Sequence, residues 1–356
     1  LGKAQVKLAA DDTLDISDRD MALVGIHQIL QVVLRHRQIN LIPGKRRVGV
    51  NPVERALQVA RRIQRADPVI EVREPPLRLR EELAREPIGP ADLLRQHGVD
   101  VVVDAPEVGE NLQDHYQGRT IVRLRERRSL NDDVRNPLKL AGMGLEWLFR
   151  RSGPLTVGAG QVGGAARTHH ARGGRPDIQF NVMPLSVDKP GDPLHAFSGF
   201  TAAVWQCHPA SRGRIQIASG DPLAAPRIEP RYLSEEIDRK TIVAGVNMLR
   251  EIYQQPAFRD LWETEVLPGA SAKSDSDILD FVRRHGGTVF HCVGTCRMGS
   301  DNRAVVDAEL RVRGVERLRV IDASVMPTVT SANTNAASLM IGERGAALIQ
   351  GTVSVP

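Results

Sequence analysis

The sequence predicts a mixed α/β fold in which an antiparallel sheet is backed by helices. Three observations carry that expectation. Residues 178–182, 199–206 and 214–218 are short runs rich in β-branched and aromatic residues, of strand length and bounded by turn-forming residues. Residues 238–254 place Ile242, Val246, Leu249 and Tyr253 on one stripe at helical spacing. Near the C-terminus, the strand-like Leu318-Arg319-Val320-Ile321 leads into a helix over 336–348, which reads as a closing βα unit.

A chain of 356 residues suits about two domains. Hydrophobic content of 41% and charged content of 26% are those of an ordinary globular protein. Aromatic content of 4% argues against a stacking surface for single-stranded nucleic acid, and a net charge of +5, spread along the chain, is a weak electrostatic footprint, so no nucleic-acid partner is expected. No run of about 18 apolar residues appears, so no membrane span is expected. The longest apolar stretch near the start, 21–34, is interrupted by His27, Gln28 and Gln31. The three cysteines, Cys207, Cys292 and Cys296, make no disulfide framework and suit a reducing, cytoplasmic compartment. The chain begins at Leu1 with no signal-peptide pattern, which suits a fragment of something longer.

Along the chain, residues 1–87 stand apart. Basic pieces such as Lys45-Arg46-Arg47 and Arg61-Arg62 alternate with short apolar runs; 52–65 is a candidate helix, 71–76 an irregular charged connector, and no motif is present. Order begins at Ile88-Gly89-Pro90. A short helix is expected over 91–97, with Gly98 at its C-cap and a compact strand over 99–103. The stretch Val108-Gly109-Glu110-Asn111-Leu112-Gln113-Asp114-His115 reads locally as a turn whose Asn111 and Asp114 cap nearby backbone. A second amphipathic helix is expected over 276–285, with Ser274 or Ser276 as N-cap.

Gly158-Ala159-Gly160-Gln161-Val162-Gly163 matches G-x-G-x-x-G literally. A dinucleotide loop needs a buried strand before it, a helix after it, and an acidic residue ending the next strand. Residues 152–157 are a turn and a very short extended piece, and Asp177 precedes the next strand instead of ending it. The motif is therefore read as a flexible loop at the edge of the substrate site.

The chemistry-bearing series is His291-Cys292-Val293-Gly294-Thr295-Cys296-Arg297-Met298-Gly299, then Ile321-Asp322-Ala323-Ser324-Val325-Met326-Pro327, then Ser331-Ala332-Asn333-Thr334-Asn335. Taken singly, a histidine in a glycine-rich turn is usually structural, and an Asp such as Asp322 usually caps a turn. His291, Cys292 and Cys296 lack a fourth ligand, so no metal is expected. His169-His170 reads as a solvated pair. No Gly-x-Ser-x-Gly elbow is present, so a serine hydrolase is not expected.

Taken together, the series resembles the C-terminal half of the glucose–methanol–choline (GMC) oxidoreductases, FAD-dependent alcohol dehydrogenases and oxidases, and most of all their choline dehydrogenase-like members. The Gly-x-Asn-Leu-x-Asp-His pattern at 109–115, Gly153-Pro154-Leu155-Thr156 and the segment 209–214 extend the likeness over about 88–352. The resemblance implies that 88–115 and 290–352 are the remnant of an incomplete, Rossmann-like FAD-binding domain, and that 116–289 form the substrate-binding domain. It implies that His291 is the catalytic base and Asn333 its hydrogen-bonding partner, with Asn335 in reserve for that position. Thr334 and Asn335 would face the flavin ring through their backbone, and Asp322 and Ala323 would meet the phosphate–ribityl region of FAD. An alcohol would lose its hydroxyl proton to histidine, which exchanges protons near neutrality, and its hydride to the cofactor, while an amide stabilises the developing oxyanion. The implied partners are a small-molecule alcohol and an electron acceptor, quinone or oxygen. The family's N-terminal Gly-x-Gly-x-x-Gly loop has no counterpart in residues 1–87. Two readings follow: an FAD-dependent alcohol oxidoreductase whose other half is supplied elsewhere, or a truncated, non-catalytic remnant unable to bind FAD.

Overall fold

The computed structural model describes residues 5–7, 13–15 and 87–351, apart from 157, 159, 190, 191 and 223. The chain divides into two units, Leu1–Glu86 and Pro87–Pro356. In the first, β1 (Gln5–Lys7) pairs antiparallel with β2 (Thr13–Asp15). The helix expected over 52–65 and the connector over 71–76 lie outside the described residues.

The second unit opens with β3 (Ile88–Gly89), α1 (Ala91–Gln96) and β4 (Val103–Asp104). Helix α1 ends one residue earlier than expected, with His97 as its C-cap, and Gly98 follows with φ of 70°, a left-handed conformation that glycine adopts without steric cost. The strand expected over 99–103 is cut to its last residue. A run of β-branched residues becomes a strand only where backbone partners exist, and among the described residues the sole strand paired with it is the two-residue β3, in parallel.

The sheet that organises the unit has six strands: β5 (Tyr116–Leu124), β6 (Val162–Ala166), β7 (Ile178–Met183), β8 (Gly199–Gln206), β11 (Trp262–Leu267) and β12 (Gly287–Thr288). The order is β11-β5-β8-β7-β6, with β12 also paired to β5, and every pairing is antiparallel. Between β5 and β6 run α2 (Leu130–Arg135) and α3 (Pro137–Arg150). A two-stranded ribbon, β9 (Arg214–Gln216) with β10 (Arg227–Glu229), lies outside the sheet; β9 is shorter than the predicted 214–218 because β10 offers only three partners.

Helix α4 (Glu236–Tyr253) packs on β5, β7 and β8; the short α5 (Pro256–Arg259) follows it, and α6 (Asp275–His285) packs on α4 and β5. The predicted apolar stripe of α4 is the buried one: Ile242, Val246, Leu249 and Tyr253 meet Val122, Ile178, Phe200 and Val204 of the sheet and Ile278, Phe281 and Val282 of α6. Helix α6 starts at Ser274 with a reciprocal capping box to Asp277, which settles the N-cap between the two serines considered. Arg250 of α4 clamps Glu265 of β11 through Nε and Nη2 at 3.0 and 2.8 Å, fastening the helix to the sheet edge.

The literal G-x-G-x-x-G runs into strand β6 instead of remaining a loop. Its small residues serve the sheet: a Cβ on Gly160 would meet the Asn181 amide at 2.0 Å, and one on Gly164 would meet the Phe180 ring at 2.8 Å. Close approach of β7 side chains therefore accounts for Gly160, and for Gly164 just beyond the motif, without any phosphate.

A second apolar core is made by Val293, Val305, Val306, Leu310, Val312, Val325, Met326, Val329 and the inner face of α7 (Asn335–Gln350), with Ile88 and Val108 against it. The strand predicted at 318–321 is not part of a sheet. Those residues fold back on 310–312 through Val312 N–H to the Leu318 carbonyl (2.9 Å) and Val320 N–H to the Leu310 carbonyl (3.1 Å), leaving a single bridge at Arg311–Arg319. Ile321 instead packs beneath α7, so tightly that a Cβ on Gly345 would stand 2.3 Å from it. Among the described residues no helix is long and apolar enough to cross a membrane.

Candidate active site

His291 lies just after β12, where the chain leaves the sheet for the second core. The segment 108–115 threads between the two chemistry-bearing stretches and ties them together. Gln113 and Val293 exchange backbone hydrogen bonds at 3.0 and 2.9 Å, and Gly109 N–H donates to the Thr295 carbonyl at 2.8 Å. Asn111 Nδ2 donates to the carbonyls of Gly294 and Pro327, both at 3.2 Å. Gln113 Nε2 donates to the Pro327 carbonyl at 3.0 Å, and its Oε1 accepts from Val329 N–H at 3.2 Å. Gly294 is required at its place: φ is 97°, and a Cβ would stand 2.5 Å from the Asn111 carbonyl oxygen.

The side chains of Asp114 and His115 then hold His291. Asp114 is 4% exposed. Its Oδ1 accepts from the His291 backbone N–H at 2.8 Å, and its Oδ2 accepts from the Tyr232 and Thr288 hydroxyls, each at 2.5 Å. His115, fully buried, places its Nδ1 2.8 Å from His291 Nδ1 and its Nε2 3.1 Å from the Cys207 carbonyl oxygen. The two rings meet edge to face, with centroids 5.1 Å apart. His291 Nε2 has no protein partner among the described residues. Burial lowers the pKa of both rings: His115 falls from 6.5 to about 4, and His291 falls with the Asp114 charge opposing the shift. Both are neutral at pH 7.

The reading of 108–115 as a locally capped turn is thus corrected. Asn111 and Asp114 bond to groups some 180 residues away in sequence, Gly294 and His291. Asp114 and His115 belong to the site; the Gly-x-Asn-Leu-x-Asp-His pattern at 109–115 was the signal in the sequence, and it did not disclose their partners. The remaining candidates sit as follows. Asp322 is exposed and accepts from Ser324 N–H at 2.8 Å, capping the single 3-10 turn Ala323–Val325. Asn333 is exposed on the loop before α7, and among the described residues no hydrogen bond joins it to His291. Thr334 is buried at the N-cap of α7, and Asn335 is the exposed first residue of the helix. No side chain caps that helix, so its first-turn N–H groups are donors without an intrahelical partner. Cys296 packs against the second core. Among the described residues no three His, Cys, Asp or Glu side chains are grouped to hold a metal ion.

Residues 209–342 match the sequence model of the GMC oxidoreductases. That stretch matches the C-terminal domain of the family. The GMC region includes His291, Asp322, Ala323 and 333–335, while Asp114 and His115 precede it. The chain is 37% identical over 263 residues to an alcohol dehydrogenase (acceptor) of Pseudomonas putida, covering 74% of this chain and 47% of that protein. It is 39% identical over 276 residues to an oxygen-dependent choline dehydrogenase of Klebsiella pneumoniae, covering 77% and 49%. The chain thus spans about half the length of the curated relatives it matches. Among solved structures, pyridoxine 4-oxidase from Mesorbium loti superposes with a TM-score of 0.63 at 30% identity over 76% of this chain and 49% of that one. A variant of formate oxidase from Aspergillus oryzae shares the fold with a TM-score of 0.70 at 24% identity, over 77% of this chain and 52% of that one.

Proposed function

We propose that this GMC chain is the proton-handling half of an FAD-dependent oxidoreductase that converts an alcohol to a carbonyl compound. The observation that carries this reading is the setting of His291: backbone fastened by Asp114, Nδ1 engaged by His115, Nε2 without a protein partner. A neutral imidazole held in this way is suited to accept one proton from a substrate hydroxyl. Its lowered pKa favours return of that proton to solvent once the carbonyl has formed. Asn333, with Asn335 in reserve, would supply the amide donor for the developing alkoxide, Asn333 being preferred for its spacing to the helix that follows.

The donor set fits the flavin end of the cofactor. The uncapped N–H groups at the start of α7 would donate to the ring carbonyl oxygens of an isoalloxazine, and the exposed Leu339 and Met340 on the same helix would offer apolar contact. Thr334 and Asn335 would hold the ring, Asp322 and Ala323 the ribityl side. Bound FAD would accept the hydride released by the carbinol carbon. The choline and alcohol dehydrogenases named above support a small alcohol substrate, with quinone or oxygen as final acceptor.

Purified protein titrated with FAD tests the proposal. A flavin spectrum that stays with the protein, and reduction by alcohol that slows about 10²–10⁴-fold in His291→Ala, are the expected results. An unchanged rate removes His291 from its role. Protein that stays colourless after FAD addition favours the other reading, a non-catalytic remnant.

A further inference from the structure

His115 and His291 approach nitrogen to nitrogen, Nδ1 to Nδ1, at 2.8 Å. Such a contact needs one hydrogen, which either ring could own. The far side of His115 decides the matter. Its Nε2 lies 3.1 Å from the Cys207 carbonyl oxygen, and a carbonyl oxygen only accepts, so Nε2 must carry a hydrogen. A neutral His115 then has its lone pair on Nδ1, and the shared hydrogen belongs to His291 Nδ1. The neutral His291 ring is left with its lone pair on Nε2, the nitrogen no protein group engages.

We infer that the Cys207 carbonyl, acting through His115, locks His291 in its Nδ1–H tautomer and so makes Nε2 the proton acceptor. The inference rests on the proposed role of His291 as base and adds the part that gives that base its direction. His115 is a positioning residue: it touches no substrate, and its effect is carried by the ring beside it. The anchor is rigid. Cys207 is 1% exposed, immediately follows β8, and its own N–H is bonded to the Asp177 carbonyl at 2.8 Å, so the residue is held at the end of the strand. The opposite tautomer would put a hydrogen on His291 Nε2 and a lone pair on Nδ1. His115 would then have to donate through Nδ1, and its Nε2 lone pair would face the Cys207 oxygen in a buried place where neither could find another partner.

Nitrogen-15 NMR of the full chain with labelled histidine rings reads this directly, with or without cofactor. His291→Gln and His115→Asn assign the two rings. The expected spectrum at neutral pH has His291 carrying hydrogen on Nδ1 and a bare Nε2, with the reverse in His115. In His115→Phe the acceptor is gone, and His291 should move to predominantly the Nε2–H form. His115→Asn, whose Oδ1 replaces the lost acceptor, should restore the Nδ1–H form. In flavin-loaded protein the Phe variant should lower the limiting reduction rate about 10²-fold, with recovery in the Asn variant. A wild-type His291 with a bare Nδ1 overturns the inference, as does a His291 tautomer indifferent to His115→Phe; the wild-type spectrum alone decides if a variant fails to fold. The two levels separate cleanly. Tautomers as inferred with an unaltered rate in His291→Ala would refute the base and spare the relay. A reversed tautomer with a slow His291→Ala would do the opposite.

Discussion

Replacing Asp114 with alanine removes an acceptor shared by three donors: the His291 backbone N–H at 2.8 Å and the Tyr232 and Thr288 hydroxyls at 2.5 Å. The site is 4% exposed, so water cannot readily take its place. A donor left unsatisfied in such a place costs about 1–3 kcal/mol. The two hydroxyls can rotate, but the backbone N–H cannot. Asp114→Ala should therefore lower stability by about 3–5 kcal/mol, a large share of the roughly 5–15 kcal/mol that holds a folded domain. Asp114→Asn is the informative control. Its Oδ1 still accepts from His291 N–H, its Nδ2 can donate to the hydroxyl oxygens, and the loss should be only about 1–2 kcal/mol. Urea unfolding of the three proteins side by side measures this. An alanine variant within about 1 kcal/mol of wild type, or an asparagine variant as damaged as alanine, would refute the account of Asp114 as the anchor of the site.

Acid should weaken the fold before carboxylates titrate. His115 has its pKa lowered from 6.5 to about 4 by burial, helped by His291 and His208 and opposed by the Cys207 hydrogen bond and Asp114, and His291 is lowered as well. The unfolded chain then binds protons first as pH falls, so this contribution is complete above pH 6.5 and is lost toward pH 4, about 3 kcal/mol for His115 alone. Urea midpoints at pH 7.5 and pH 5 should differ in wild type and much less in His115→Asn; equal midpoints in wild type would contradict the burial. Ile242→Ala, at a fully buried position between α4 and the sheet, should cost about 2–5 kcal/mol by denaturant unfolding, whereas Ile242→Val should cost about 0.5–1.5 kcal/mol.

Elements held by short-range chemistry were legible in the sequence. The apolar stripe of 238–254, the Ser274 cap and the glycine after α1 all state their structure within a few residues, because helix burial and capping are local in register. Residues 99–103 and 318–321 read equally well as strands, yet only fragments of each pair. A strand needs a neighbour, and neither run discloses that β3 offers two residues or that 318–321 must return to 310–312. The glycines of 158–163 carry a nucleotide-loop spelling, and only the Asn181 side chain against Gly160 reveals what one of them is for.

The sequence by itself put a histidine in a glycine-bearing turn and asparagines at the start of the helix Asn335–Gln350, since imidazole and amide groups travel with the residue type. Tertiary structure alone decided which atom of that histidine is free. Asp114 and His115 stand 177 and 176 residues from the groups they hold, and hydrogen bonds depend on distance in space, to which a one-dimensional order of residues gives no measure.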